Sequence, residues 1–164
     1  MITRRQIRAK VMQAIYAQMS SQDTPEVTFN KLLLESEEQL KEVEAQKTLS
    51  GDIQLLHGLF YESIKNAKMF DEMIINKAAN WELERIAWVD RILMHMGICE
   101  MLNFDEIPIK VTINEYLELA KQFSTPKSSK FINGILDSLH NDFKRDGKII
   151  KRGRGLIDHS KTEK

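Results

Sequence analysis

The chain has 164 residues, with 24 Lys and Arg against 24 Asp and Glu, and a single cysteine. That length holds one domain or two small lobes with a real core. The lone cysteine excludes an internal disulfide and fits a reducing compartment. No apolar run approaches the roughly 18 residues of a membrane span, and the basic N-terminus lacks an apolar signal core, so a cytoplasmic protein with no membrane partner is expected. Seven Gly, three Pro and few alternating apolar runs, against abundant Leu, Glu, Lys, Gln, Ala and Met, predict an all-helical chain. The zero net charge is uneven. Residues 1–22 carry +4 and residues 144–164 carry +5, which leaves −9 between them. Basic ends on an acidic body suggest local anion binding rather than a basic coat.

The first helix is predicted over Thr3 to about Ser20. Thr3 with Gln6 matches a capping box, and Ile7, Val11, Ala14, Ile15 and Gln18/Met19 trace the inward stripe. Arg4, Arg5 and Arg8 crowd its first turns, where the helix dipole makes each cation cost a few tenths of a kcal/mol. A bound anion would offset that cost; the alternative is a solvated chain end. After a turn at Ser21–Pro25, a second helix is predicted from Glu26 to Lys47, with Phe29, Leu32, Leu33 and Leu40 inward. Its acidic face (Glu35, Glu37, Glu38, Glu42, Glu44) reads as solvated surface, because no histidine or nearby turn completes a catalytic or metal site. Past a break at Leu49–Asp52, a long helix runs toward Asn76, with a bend near Asn66 or Asn76, and Asn80-Trp81 ends it. Leu83 to Phe104 is apolar almost all round and predicts the buried centre of a bundle. Asp90 and Arg91 are its polar exceptions, Asp90 being well placed for the helix dipole.

Ile107 to Asp137 reads as two amphipathic helices and a turn. Ile109, Ile113, Tyr116, Leu117, Ala120 and Phe123 recur at helical spacing. Thr112 with Glu115 is a second capping-box match, placing the start near there, just after Pro108. The next helix has Ser128 as its expected N-cap and puts Ile132, Ile135, Leu136, Leu139 and Phe143 on one face. Gly134 within it predicts a close helix–helix contact. The intervening turn, residues 124–130, carries Lys127 and Lys130 and is followed by Phe131. That combination suits a surface that meets phosphate and stacks a base; the alternative is an ordinary connection with Phe131 in the core. After Phe143 the pattern fails, and residues 144–164 read as a disordered basic tail.

His57, His95, His140 and His159 are scattered, with no carboxylate partner at ligand spacing. Cys99 sits in the most apolar helix, as an inert core residue would. No Gly-rich phosphate loop is present. No enzyme, cofactor or metal site is predicted.

Three segments, RRQIRAKVMQAIYA at 4–17, RIAWVDRILMHMGICEML at 85–102 and IPIKVTINEYLELAKQFSTPKSSKFINGILD at 107–137, together resemble the NusB family of bacterial transcription antitermination factors. The resemblance implies an all-α fold of two packed helical bundles with about six to seven helices. The domain would span 1–143, with lobes of about 1–80 and 81–143. It also implies binding of single-stranded boxA RNA in nascent rRNA transcripts, together with NusE, a small-subunit ribosomal protein. Both would act within the RNA polymerase antitermination complex to promote processive rRNA transcription. Matching positions suggest Arg4, Arg5, Arg8, Lys130 and Phe131 as RNA contacts, and Tyr16 and Asp90 as contacts to NusE. Thr125-Pro126-Lys127 stands where the family usually has a Gly and an acidic residue, so Lys127 would add phosphate contact and weaken base discrimination. Some members self-associate, and a homodimer would hide the arginine face. The alternative function is a helical protein-binding adaptor without specific RNA recognition.

Overall fold

A computed structural model describes residues 2–35, 38, 45, 51–79 and 81–156. Among these, seven α-helices and two short 3-10 turns are present, with no strand. The chain divides into two compact units, Met1–Asn66 and Ala67–Lys164, so the division falls well before the expected boundary near residue 80.

The first unit contains α1 (Arg4–Met19), α2 (Pro25–Glu35) and α3 (Gly51–Lys65). The capping box forms as the sequence predicts. Gln6 N–H donates to Thr3 Oγ1 (3.2 Å) and Thr3 N–H donates to Gln6 Oε1 (2.7 Å). Ile7, Val11, Ala14 and Ile15 are buried, joined by Met12 and Arg8, whereas Met19 is exposed. Helix α1 packs on α2 and α3. Phe29 of α2 meets His57, Phe60 and Tyr61 of α3 at ring separations of 4.7, 5.3 and 5.3 Å, distances at which aromatic pairs add to simple burial. The predicted helix over 26–47 is described as far as Glu35; most of its acidic face and Leu40 lie outside the described residues. The bend expected near Asn66 is a break. Helix α3 stops at Lys65, and Asn66 Nδ2 donates back to Glu62 O (2.9 Å).

The second unit contains α4 (Ala67–Lys77), a 3-10 turn at Leu83–Arg85, α5 (Trp88–Asn103), α6 (Ile109–Phe123), α7 (Pro126–Arg145) and a 3-10 turn at Gly153–Leu156. Helix α5 is the centre, packed by α4, α6 and α7, with every residue from Ile92 to Met101 buried. Cys99 is among them, as expected of a core residue. One of the buried polar residues of α5 is Glu100, fully buried, which accepts from Thr112 Oγ1 (2.9 Å) and Tyr116 Oη (2.7 Å) of α6.

That pair of bonds corrects the expected start of α6. Thr112 is no cap: it lies inside a helix that begins at Ile109, with Pro108 as N-cap. The buried stripe runs through Thr112, Tyr116, Leu119 and Ala120, so it is rotated from the predicted one. The start of α7 also differs. Thr125 is the N-cap, its Oγ1 accepting from Ser128 N–H (3.2 Å), and Pro126 follows with its φ already suited to a helix. Lys127 and Lys130 are therefore helical residues rather than turn residues. Gly134 faces open space, with nothing near its Cα that a side chain would meet. The close approach is at Gly97, where a Cβ would come within 3.0 Å of Leu136 Cδ1.

The chain stays structured past Lys144, where a disordered tail is expected. Helix α7 continues to Arg145, and the chain then returns to the α5–α6 corner. Arg152 N–H donates to Asp105 O (2.9 Å) and Lys151 Nζ donates to Phe104 O (2.7 Å). Burial there pulls the Lys151 pKa below its ordinary value. Gly155 lies so close to Asp105 O that a Cβ would sit 1.9 Å from it. Residues 157–164 lie outside the described residues.

Candidate nucleic-acid and partner interfaces

In the first unit, Arg4 and Arg5 stand exposed at the start of α1, whose first turn carries no acidic residue. Arg4 Nε donates to Asp52 Oδ1 (2.9 Å), an ion pair with both side chains more than two-fifths exposed. Such a pair contributes little, about 0–1 kcal/mol, so a phosphate could compete for the guanidinium. Arg8 differs. It is 2% exposed, because it falls on the inward stripe with Met12 and Ile15, four and seven residues on. Arg8, also expected at the RNA face, is thus placed inward in this structure. Tyr16, expected at a protein partner, is 49% exposed, with exposed Met19 three residues on along the same face.

In the second unit, the N-terminal turns of α7 gather most of the predicted positions. Lys127 and Lys130 are exposed, and the first turn has no acid. Phe131 is half-buried, its ring centroid 5.5 Å from that of Trp81. Between the lysines, Ser128 Oγ donates to Asp90 Oδ2 (2.6 Å) and accepts from Ser124 Oγ (2.9 Å). Asp90 is only 6% exposed, and its Oδ1 has no hydrogen-bond partner among the described residues. Its carboxylate is turned into the unit toward α7. Asp90 therefore adjoins the positions expected to meet RNA, through Ser128.

Beside it, a second polar cluster has no counterpart in the sequence reading. Asp71 of α4 accepts from Arg91 Nε (2.7 Å) and Nη2 (2.5 Å), and its Oδ1 lies 2.6 Å from His95 Nε2. Burial opposes the Asp71 charge, but these hydrogen bonds and charges outweigh it and hold the pKa down at about 2. The Arg91 guanidinium covers the exposed Trp88 ring at 4.2 Å. Spacing gave no signal of this, since Asp71 precedes Arg91 by 20 residues and His95 by 24. His95 thus has a carboxylate partner, though not at ligand spacing in the sequence. Among the described residues no cluster of His, Cys, Asp and Glu side chains is arranged to hold a metal, and no helix is long and apolar enough to cross a membrane.

Two helical units, with exposed cations and aromatic rings collected at helix N-terminal ends, define an all-α chain of the NusB-like fold class. The family model described as the NusB family matches residues 5–141. A transcription antitermination protein NusB of Chloroherpeton thalassium is 39% identical over 157 residues, covering 96% of this chain and 70% of that protein. Among solved structures, T. maritima NusB is similar with a TM-score of 0.65 and 28% identity, covering 86% of this chain and 92% of that one. A structure of antitermination factors NusB and NusE in complex with dsRNA has a TM-score of 0.66, covering 85% of this chain and 96% of that one. At 16% identity that second likeness shows the fold. The chain belongs to the NusB family of transcription antitermination proteins.

Proposed function

We propose that this protein binds single-stranded boxA RNA in nascent rRNA transcripts together with NusE. Acting in the RNA polymerase antitermination complex, it promotes processive rRNA transcription in the cytoplasm and has no chemistry of its own. The observation that carries this is the pair Arg4 and Arg5, exposed on the first turn of α1 with no acid beside them in that turn. Their cost against the helix dipole is offset when a phosphate binds there. Family membership supports the reading, as does the solved complex of a NusB with NusE and RNA. Lys127, Lys130 and Phe131 supply further RNA contacts, and Tyr16 supplies the partner contact. Arg8 supports α1 from inside, and Asp90, bonded to Ser128, holds the turn that carries Lys127 and Lys130.

The test is fluorescence anisotropy of a boxA-containing single-stranded RNA against a scrambled one, with and without NusE, across a salt series. Preference for boxA that sharpens with NusE is expected. Arg4→Ala/Arg5→Ala should weaken binding and reduce the salt slope by roughly 0.7 per lost phosphate contact. Unchanged affinity in that variant would remove the RNA role of α1. Light scattering on the same samples reports any homodimer, which should dissociate on RNA addition if it covers the arginines.

A further inference from the structure

We infer that Trp81 is a base-stacking residue: its indole, backed by Phe131, takes one unpaired base of single-stranded RNA. This rests on the RNA-binding reading above.

Trp81 is 51% exposed, although it is among the largest apolar side chains in the unit. A large exposed ring matters when it is held in place and has charged neighbours of one sign. Both conditions hold here. The Trp81 backbone N–H donates to Ala78 O (3.0 Å), which fixes the residue just past the end of α4. Its ring lies 5.5 Å from that of Phe131, tilted by 47°, a usual geometry for an aromatic pair. Phe131 thus braces the indole and leaves about half of it open.

The charge around the pair is that of a polyanion site. Lys127 precedes Phe131 by four residues on α7 and shares its face. Lys127 and Lys130 are both exposed, and neither forms an ion pair among the described residues. The first turn of α7 adds its positive dipole end and no acid. Glu82 is the nearest acid in sequence, and Arg85 pairs with it at 3.7 Å. A protein partner would be the other occupant for an exposed indole. Lysines, however, are depleted at the centres of protein interfaces, whereas cations beside a stacking ring are the composition of single-strand sites.

The chain has two tryptophans, so Trp88→Phe leaves Trp81 as the sole indole. Emission of that variant is titrated with the boxA-containing RNA while anisotropy of the labelled RNA is followed in parallel. Quenching that tracks the anisotropy is expected. Trp81→Ala should weaken binding about tenfold while remaining folded, and Trp81→Phe should retain most of the affinity. An anisotropy rise without quenching, or full affinity in Trp81→Ala, overturns the stacking role and leaves RNA binding intact. Quenching by NusE alone would show a protein on the indole and overturn it too. No anisotropy rise at low salt overturns the RNA reading and the stacking with it.

Discussion

The Ser128 hydroxyl donates to Asp90 Oδ2 across 2.6 Å and so ties the first turn of α7 to the first turn of α5. Asp90 is nearly buried, and its second oxygen finds no donor among the described residues. The bond thus carries much of the compensation for burying that carboxyl. Ser128→Ala should destabilise the protein by about 1–3 kcal/mol, read as a lower midpoint in urea. An unchanged midpoint would mean the bond contributes nothing.

The three arginines of α1 should separate by experiment. Arg8→Ala removes a buried side chain and should cost about 1–3 kcal/mol of stability. Arg5→Ala, at an exposed position, should stay within about 0.5 kcal/mol of the parent. Thermal melts of the two variants side by side decide this. Equal melting temperatures would contradict the inward placement of Arg8.

Asp71 should make stability fall in acid. Its pKa is held at about 2 in the fold against 3.8 for the free side chain. The folded state thus binds fewer protons than the unfolded state in that window. The contribution is fully present above about pH 4 and lost as pH falls through about 2. It amounts to about 1–2 kcal/mol after allowance for solvent screening. Melts of the parent and Asp71→Asn between pH 6 and pH 2 should converge as pH drops. A constant gap would rule out the Arg91 and His95 contacts as the source.

The sequence made some of this fold legible because the determining interactions are local. The Thr3–Gln6 cap lies within one turn, and the apolar run over 92–101 needs no partner to be read as a centre. Other features depended on residues far apart. Thr112 and Glu115 match a capping box, yet Thr112 serves Glu100, twelve residues earlier. Ser128 looked like a cap because Thr125 and Pro126, which start α7, sit just before it. At the candidate site, the exposed cations at Arg4, Arg5, Lys127 and Lys130 were readable from position alone. The inward placement of Arg8 has a local signal, since Arg8, Met12 and Ile15 keep helical spacing. Trp81 carries no local signal beyond a helix end, because its pairing with Phe131 spans 50 residues.

Glu100 bears on how this family's sequences can drift. Its carboxylate, the Thr112 hydroxyl and the Tyr116 phenol meet inside one unit. Changing any one alone strips a buried polar group of a bond, whereas replacing all three by apolar groups of similar shape is nearly neutral. A lineage can therefore leave this arrangement only by crossing less stable intermediates. The three positions should be exchanged as a set or kept as a set, and any relative that differs at one of them should carry compensation at the other two.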